Sequence, residues 1–137
     1  DVFSYNKPYM KRFSSETQRV GRVGEDIACR FLEQKKFTIR ERNYTKPWGE
    51  IDIVAFKDTT LYFIEVKTVS VSHNEDPLVH PRENMTRDKL KKCERVAETY
   101  VMEKSISGDW RYGAVFVVLH SDTKTAEVEF LDDVYGG

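Results

Sequence analysis

The chain has 137 residues, of which 39% are hydrophobic, 33% charged and 12% aromatic. This fits one domain with a single core and excludes a disordered tail, a collagen-like fibre and a bilayer span, because the longest apolar run, Ala114 to Leu119, falls far short of the roughly twenty residues a span needs. Net charge is −1, so whole-molecule charge announces no polyanion partner, yet residues 1–47 carry eleven Lys/Arg against six Asp/Glu and residues 105–137 two against six, the polarity of a basic binding face and an acidic rear.

Residues 1–15 show no sustained period and contain Pro8, and they read as a poorly ordered arm ahead of a domain spanning 16–134. From Glu16 to Lys36, Val20, Val23, Ile27 and Phe31, with Ala28 and Leu32 beside them, recur at helical steps and predict a first helix capped by Ser14 or Ser15. Gly21 and Gly24 inside it imply close approach of another backbone or a ligand. Three short extended segments follow at about 37–44, 49–56 and 61–67, forming a meander. Val69 to Asn84 reads as a long loop, a length usually functional or mobile. A second helix is predicted from Thr86 to Lys104, with Leu90, Cys93, Ala97, Tyr100 and Val101 inward and Arg87, Lys91 and Arg95 outward. Tyr112 to Leu119 reads as a strand buried on both faces, followed by an alternating strand with Ala126, Val128 and Phe130. The expected order is αβββαββ, a mixed α/β (α+β) sheet. Cys29 and Cys93 fall on the apolar helix stripes as buried thiols, which points to a reducing, cytoplasmic compartment.

The informative stretch is the hairpin Gly49 to Lys67. A loop of either the two residues Asp58-Thr59 or the four residues 57–60 pairs the strands so that Val54 faces Phe63, Phe56 faces Leu61, Asp52 faces Glu65 and Glu50 faces Lys67. Ile51, Ile53, Ala55, Tyr62, Ile64 and Val66 then share the other face. Like charges held opposite one another destabilise a sheet. A carboxylate pair of this kind is what a hard cation such as Mg²⁺ requires, with Lys67 one strand period further along. His73, His80 and His120 lack the spacing of a zinc site, and Trp48 offers a ring for base stacking or for packing.

Taken together, Gly21-Arg22-Val23-Gly24-Glu25-Asp26-Ile27-Ala28, Asn43-Tyr44, Gly49-Glu50-Ile51-Asp52 and Phe63-Ile64-Glu65-Val66-Lys67 resemble the YraN-like family of predicted endonucleases. That family belongs to the PD-(D/E)xK nuclease superfamily, near the archaeal Holliday-junction resolvases. The resemblance covers roughly residues 19–120 and includes Lys89, which matches a lysine usual at the start of the family's second helix. It implies a restriction-endonuclease-like fold with helices flanking a central sheet. It also implies Asp52, Glu65 and the Val66 carbonyl as ligands of Mg²⁺ or Mn²⁺, Lys67 as the residue that orients the attacking water, and Glu25 as an auxiliary acid. Gly113 departs from the pattern, standing where the family usually carries an aspartate.

The function expected is metal-dependent hydrolysis of phosphodiester bonds in branched or structured DNA. Arg19, Arg22, Lys89 and Lys92 are expected on flanking phosphates, and the resemblance to resolvases suggests a homodimer. The alternative is a non-cleaving nucleic-acid-binding module that retains the fold.

Overall fold

The computed structural model describes residues 1–5, 16–72 and 86–134. Its elements in chain order are β1 (Val2–Ser4), α1 (Glu16–Gln34), β2 (Thr38–Lys46), β3 (Gly49–Lys57), β4 (Thr60–Val71), α2 (Arg87–Glu103), β5 (Trp110–His120) and β6 (Thr125–Leu131). The six strands form one mixed sheet in the order β1-β6-β5-β4-β3-β2. β2, β3 and β4 are the antiparallel meander; β4 and β5 run parallel, and the chain between them carries α2, as a crossover connection must. No described helix is long and apolar enough to cross a membrane.

Each helix covers one face. Val23, Ile27, Ala28, Phe31 and Leu32 of α1 bury against Ile53, Ala55, Tyr62, Ile64, Val115 and Val117. Val96, Ala97 and Tyr100 of α2 bury against Val54, Leu61, Phe63 and Tyr112 on the other face. Covered on both sides, the central strands are apolar almost throughout: Tyr112 to Val117 are all buried. Thr86 caps α2, its hydroxyl accepting from the Lys89 N–H.

Two sequence expectations change here. The first residues are not irregular, because Val2–Ser4 form an edge strand on β6, held by buried Phe3, whose ring meets Phe31 edge-on at 6.2 Å. A three-residue strand with one inward side chain has no period to read. Residues 6–15 of the expected arm, including both expected caps of α1, lie outside the described residues. β4 runs on to Val71, beyond the expected end at 67, because parallel pairing with β5 continues to Val71↔His120. The rest of the expected loop, with His73 and His80, lies outside the described residues.

The two helical glycines divide. A Cβ on Gly21 would meet nothing within 4 Å, so no close approach explains it. A Cβ on Gly24 would fall 1.9 Å from Thr68 Oγ1 and 2.7 Å from Thr68 Cβ, so the missing side chain is what lets α1 lie on β4 at this point. Gly24→Ala is expected to cost about 1–3 kcal/mol in urea unfolding despite the better helix propensity of alanine, with partial recovery in the Gly24→Ala, Thr68→Ala double variant. An alanine variant as stable as the parent would show that the helix and strand can part there freely.

Candidate functional site

The turn fixes the hairpin as anticipated. Lys57 pairs with Thr60, leaving the two-residue loop Asp58-Thr59 with Asp58 at φ 54°, and the register runs through Phe56↔Leu61 and Val54↔Phe63 to Ile53↔Ile64. There the described pairing of β3 with β4 ends. β3 continues to Gly49 bound to β2, and β4 continues to Val71 bound to β5, so the two strands part and leave a notch.

Asp52 stands at the mouth of this notch. It does not pair across a ladder with Glu65, as the extrapolated register would have it. Instead its carboxylate takes the place of a ladder acceptor, with Oδ2 receiving the Val66 N–H at 2.8 Å. In extended backbone a residue's N–H and carbonyl leave the strand on the same edge, so the Val66 carbonyl faces β3 as well. Glu65 and Lys67 flank this residue on the α2 face of β4 and form an ion pair, Nζ to Oε1 at 2.9 Å. Both side chains are less than one-fifth exposed. The Cys93 thiol of α2 donates a long contact, 3.8 Å, to the other oxygen, Glu65 Oε2.

A local break in the strand rule explains the geometry. Asn43 lies between Arg42↔Ile53 and Tyr44↔Ile51 in the β2–β3 register and has φ 55°, the left-handed conformation that asparagine tolerates better than most residues. Past this point the alternation fails: Ile51 joins the α2 cluster with Val54, not the α1 cluster with Ile53. The face expected to hold Ile51 beside Ile53 is thus corrected. So is the position of Glu50, which lies toward β2 and α1 and not opposite Lys67.

Glu25 of α1 belongs to that second group. The Asn43 amide, turned so that its nitrogen faces the carboxylates, donates to Glu50 Oε1 at 3.0 Å and to Glu25 Oε1 at 3.2 Å. Arg42 Nη2 lies 2.8 Å from Asp26 Oδ1 and 3.6 Å from Glu25 Oε1. Burial raises the Glu25 carboxyl, against the lowering effects of Arg42 and Asn43. Asp52 feels both groups: burial first, then Glu65, push its carboxyl up to about 8, with smaller repulsion from Glu25 and Glu50 and an opposing hydrogen bond from Val66. For Lys67 burial works against the charge, but the hydrogen bond and attraction from Glu65 prevail and raise its pKa. Lys89, at the start of α2, comes so close to Lys67 that hydrogen bonding and repulsion between the two amines lower its own pKa. The Cys93 thiol is pushed up to about 12, by burial first and then by the repulsion of Glu65 and Asp52.

The structure therefore gathers Asp52, Glu65, Val66 and Lys67 at one notch, with Lys89 beside Lys67 and Glu25 on the α1 side. Lys92 is exposed on α2 and Arg22 on α1, while Arg19 is half-buried. No charged residue among those described is fully buried, and the notch is half-buried, with Glu65 and Lys67 keeping only a small exposed share. Among the described residues no group of three or more His, Cys, Asp or Glu is placed to hold a metal ion. What the chain offers is two carboxylates and a main-chain carbonyl, hard oxygen donors, with the Lys67 ammonium already on one oxygen of Glu65. That set suits Mg²⁺, which takes one or two carboxylates and keeps several waters, and not the closed four-ligand sites of Zn²⁺.

Sequence reasoning missed Cys93 as a neighbour of Glu65 and Asn43 and Arg42 as the clasp on Glu25. Only Asn43, a residue suited to positive φ in mid-strand, left a readable signal. His120, the one described histidine, faces Glu127 at 3.3 Å and not the site. Cys29 and Cys93 are both free thiols, the first buried and the second half-buried. A hollow of about 550 Å³ lined by Phe31, Phe37, Tyr62 and Phe130 lies at the far end of the hairpin, where Lys35 and Lys57 already cover two of its rings at 5.6 and 5.1 Å.

Gly113 pairs with Ile64, one residue before Glu65, and belongs to the α1 side of the sheet. A Cβ there would lie 3.1 Å from the Leu131 carbonyl oxygen and 3.2 Å from Phe130 Cε1. Gly113→Asp would aim a carboxylate at a carbonyl and a ring, away from Glu65. It is expected to destabilise the fold by about 2–4 kcal/mol in urea unfolding. A variant of undiminished stability would show that this strand has room for an acid.

The profile of the uncharacterised protein family UPF0102 matches residues 24–117. A UPF0102 protein of Clostridium perfringens (strain 13 / Type A) is 32% identical over 127 residues, 92% of this chain and 98% of that protein. One from Campylobacter jejuni (strain RM1221) is 37% identical over 97 residues, 71% of this chain and 81% of its own length. The matched span runs from Gly24 at the α1–β4 contact, through the notch at Asp52 and Glu65, into β5, and the chain belongs to the UPF0102 family.

Proposed function

We propose that the chain is a metal-dependent endonuclease that hydrolyses phosphodiester bonds in branched or otherwise structured DNA, on a restriction-endonuclease-like arrangement of its mixed sheet. The observation that carries this reading is the Asp52 carboxylate seated on the Val66 N–H, beside Glu65 with its ion-paired lysine. A structural ion pair needs only Glu65 and Lys67. A second carboxylate held at the same notch, at the electrostatic cost seen in its pKa, is what a cation-dependent site supplies a reason for.

Asp52, Glu65 and the Val66 carbonyl would hold Mg²⁺ or Mn²⁺, which when bound supplies Lewis acidity and activates water for attack on the phosphodiester. The chain's own groups do the rest. Lys67, on a flexible stem, presents positive charge toward the phosphoryl oxygens on which charge develops. Glu65 fixes where that ammonium lies, and Lys89 adds a second positive charge at the same edge. Glu25, held by Asn43 and Arg42, stands ready as an acceptor on the α1 side. Arg22 and Lys92 would engage flanking phosphates.

The test is a panel of single-stranded, duplex, flapped and four-way DNA incubated with Mg²⁺ or Mn²⁺. Cation-dependent cleavage of structured DNA is the expected result, and no cleavage of any substrate with either ion would overturn the reading. Cutting two strands of a branch calls for a homodimer, which sedimentation with four-way DNA would reveal and a persistent monomer would refute. One observation favours the non-cleaving alternative: no third acidic side chain among the described residues completes a metal group with Asp52 and Glu65. Under that reading the panel would show binding without products.

A further inference from the structure

Trp48 sits in the turn between β2 and β3 and is 36% exposed, one of three large hydrophobic side chains exposed to that degree or more among the described residues. The other two, Val2 and Met102, lie at the β1 edge and the end of α2, away from the notch. Two contacts keep Trp48 where it is. The following residue, Gly49, packs against α2 so closely that a Cβ would fall 2.8 Å from Val96 Cγ2 and 3.6 Å from the Lys92 carbonyl oxygen. The Arg95 guanidinium of α2 lies over the indole ring, 5.2 Å from its centroid.

Around this ring the helix is basic. Lys91 and Lys92 stand four and three residues before Arg95, which places each beside it on the helix, and all three are exposed. Asp52 is four positions after Trp48, about 13 Å along an extended strand, so the ring stands beside the notch and not across the molecule from it.

We propose that Trp48 and Arg95 form a stacking platform for an unpaired nucleobase, with Lys91 and Lys92 on the adjoining phosphates. The proposal rests on the reading of the notch as a site that acts on DNA, and it adds the substrate class: DNA with a single-stranded segment next to the cleaved bond. An exposed tryptophan whose ring already carries a guanidinium matches the flat face of a base, and that face is available only where the base is unpaired. The phosphates of the same strand match the three cations in charge. At the ~3.4 Å spacing of stacked bases, the platform would engage a base within about four nucleotides of the cleaved phosphate.

Binding without cleavage tests this, measured with metal-free protein on single-stranded, flapped and fully duplex DNA. Trp48→Ala is expected to weaken binding to the single-stranded and flapped DNA about ten-fold or more and to leave duplex binding within two-fold. Trp48→Phe should recover part of the loss. In a Trp110→Phe background, where Trp48 is the remaining tryptophan, single-stranded DNA should quench its emission and duplex should not, a readout that needs no change at Trp48. Equal binding of every DNA by Trp48→Ala, or no quenching, would overturn the platform while cleavage by the parent leaves the nuclease reading standing. A parent that binds no DNA would overturn both.

Discussion

Asp52→Asn is expected to raise the melting temperature at about pH 7 in the absence of divalent cations and to abolish cation-dependent cleavage. Burial, and then Glu65, push the Asp52 carboxyl from 3.8 up to about 8. A carboxyl whose folded pKa lies above its unfolded value favours folding in its protonated form. Its contribution is complete below about pH 4 and is lost as pH rises through about 8. At pH 7 the folded carboxyl is mostly protonated while the unfolded one is ionised, and at about 1.4 kcal/mol per pKa unit taking up that proton weighs against folding by an amount on the order of a few kcal/mol. Asparagine is neutral without binding a proton and keeps an oxygen for the Val66 N–H.

Melting curves between about pH 4 and 9 should therefore fall with rising pH in the parent and run nearly flat in the variant. Glu25, raised for the same first reason, leaves a smaller slope of the same sign. Glu103, lowered by hydrogen bonds from Lys46 and Tyr44, acts in the opposite direction, but only at acid pH below the usual glutamate range. Mg²⁺ should lift the parent and not the variant, because binding to the folded form alone stabilises it. A variant no more stable than the parent at neutral pH would mean that Asp52 lies in bulk-like surroundings, and the carboxylate pair would lose its significance.

Lys67→Ala is expected to lower single-turnover cleavage of structured DNA by about 100-fold or more while affinity for DNA changes by only a few-fold. The ammonium is one of the two nearest cations at the notch, fixed by Glu65 Oε1 at 2.9 Å, and its loss leaves the developing phosphoryl charge to Lys89 alone. Lys67→Arg should rescue poorly, since a planar fork cannot take the place of a compact point charge between Glu65 and Lys89. Relieved of its neighbour, Lys89 should recover a higher pKa in the alanine variant, measurable by NMR titration of its ammonium. A cleavage rate within three-fold of the parent would remove Lys67 from the chemistry.

Much of this site is legible along the chain. A two-residue turn at Asp58-Thr59 fixes the hairpin, and because side chains alternate with period two, one correct turn assigns every partner down to Ile53↔Ile64. The second helix is framed by Thr86 before it and Lys104 after it, as its apolar spacing suggested. The same rule also shows where extrapolation stops. Alternation predicts the faces of Ile51 and Glu50 as well, but beside Asn43, left-handed on the neighbouring strand, it ends at Asp52. Nothing local to residues 50–53 reports a distortion imposed from β2.

The sequence by itself determined the two helices, the meander, the doubly buried strand and the identity of the charged residues at the notch, because periodicity and turn chemistry are local properties. Tertiary structure alone decided that Val2–Ser4 is a strand, that Asp52 binds the Val66 N–H and does not sit in a ladder with Glu65, and that Cys93 lies on Glu65. It also set Arg42 and Asn43 around Glu25 and Arg95 over Trp48. These contacts join residues far apart in the chain, and their geometry follows from how two helices seat on a splayed sheet, a packing outcome that no window of neighbouring residues encodes.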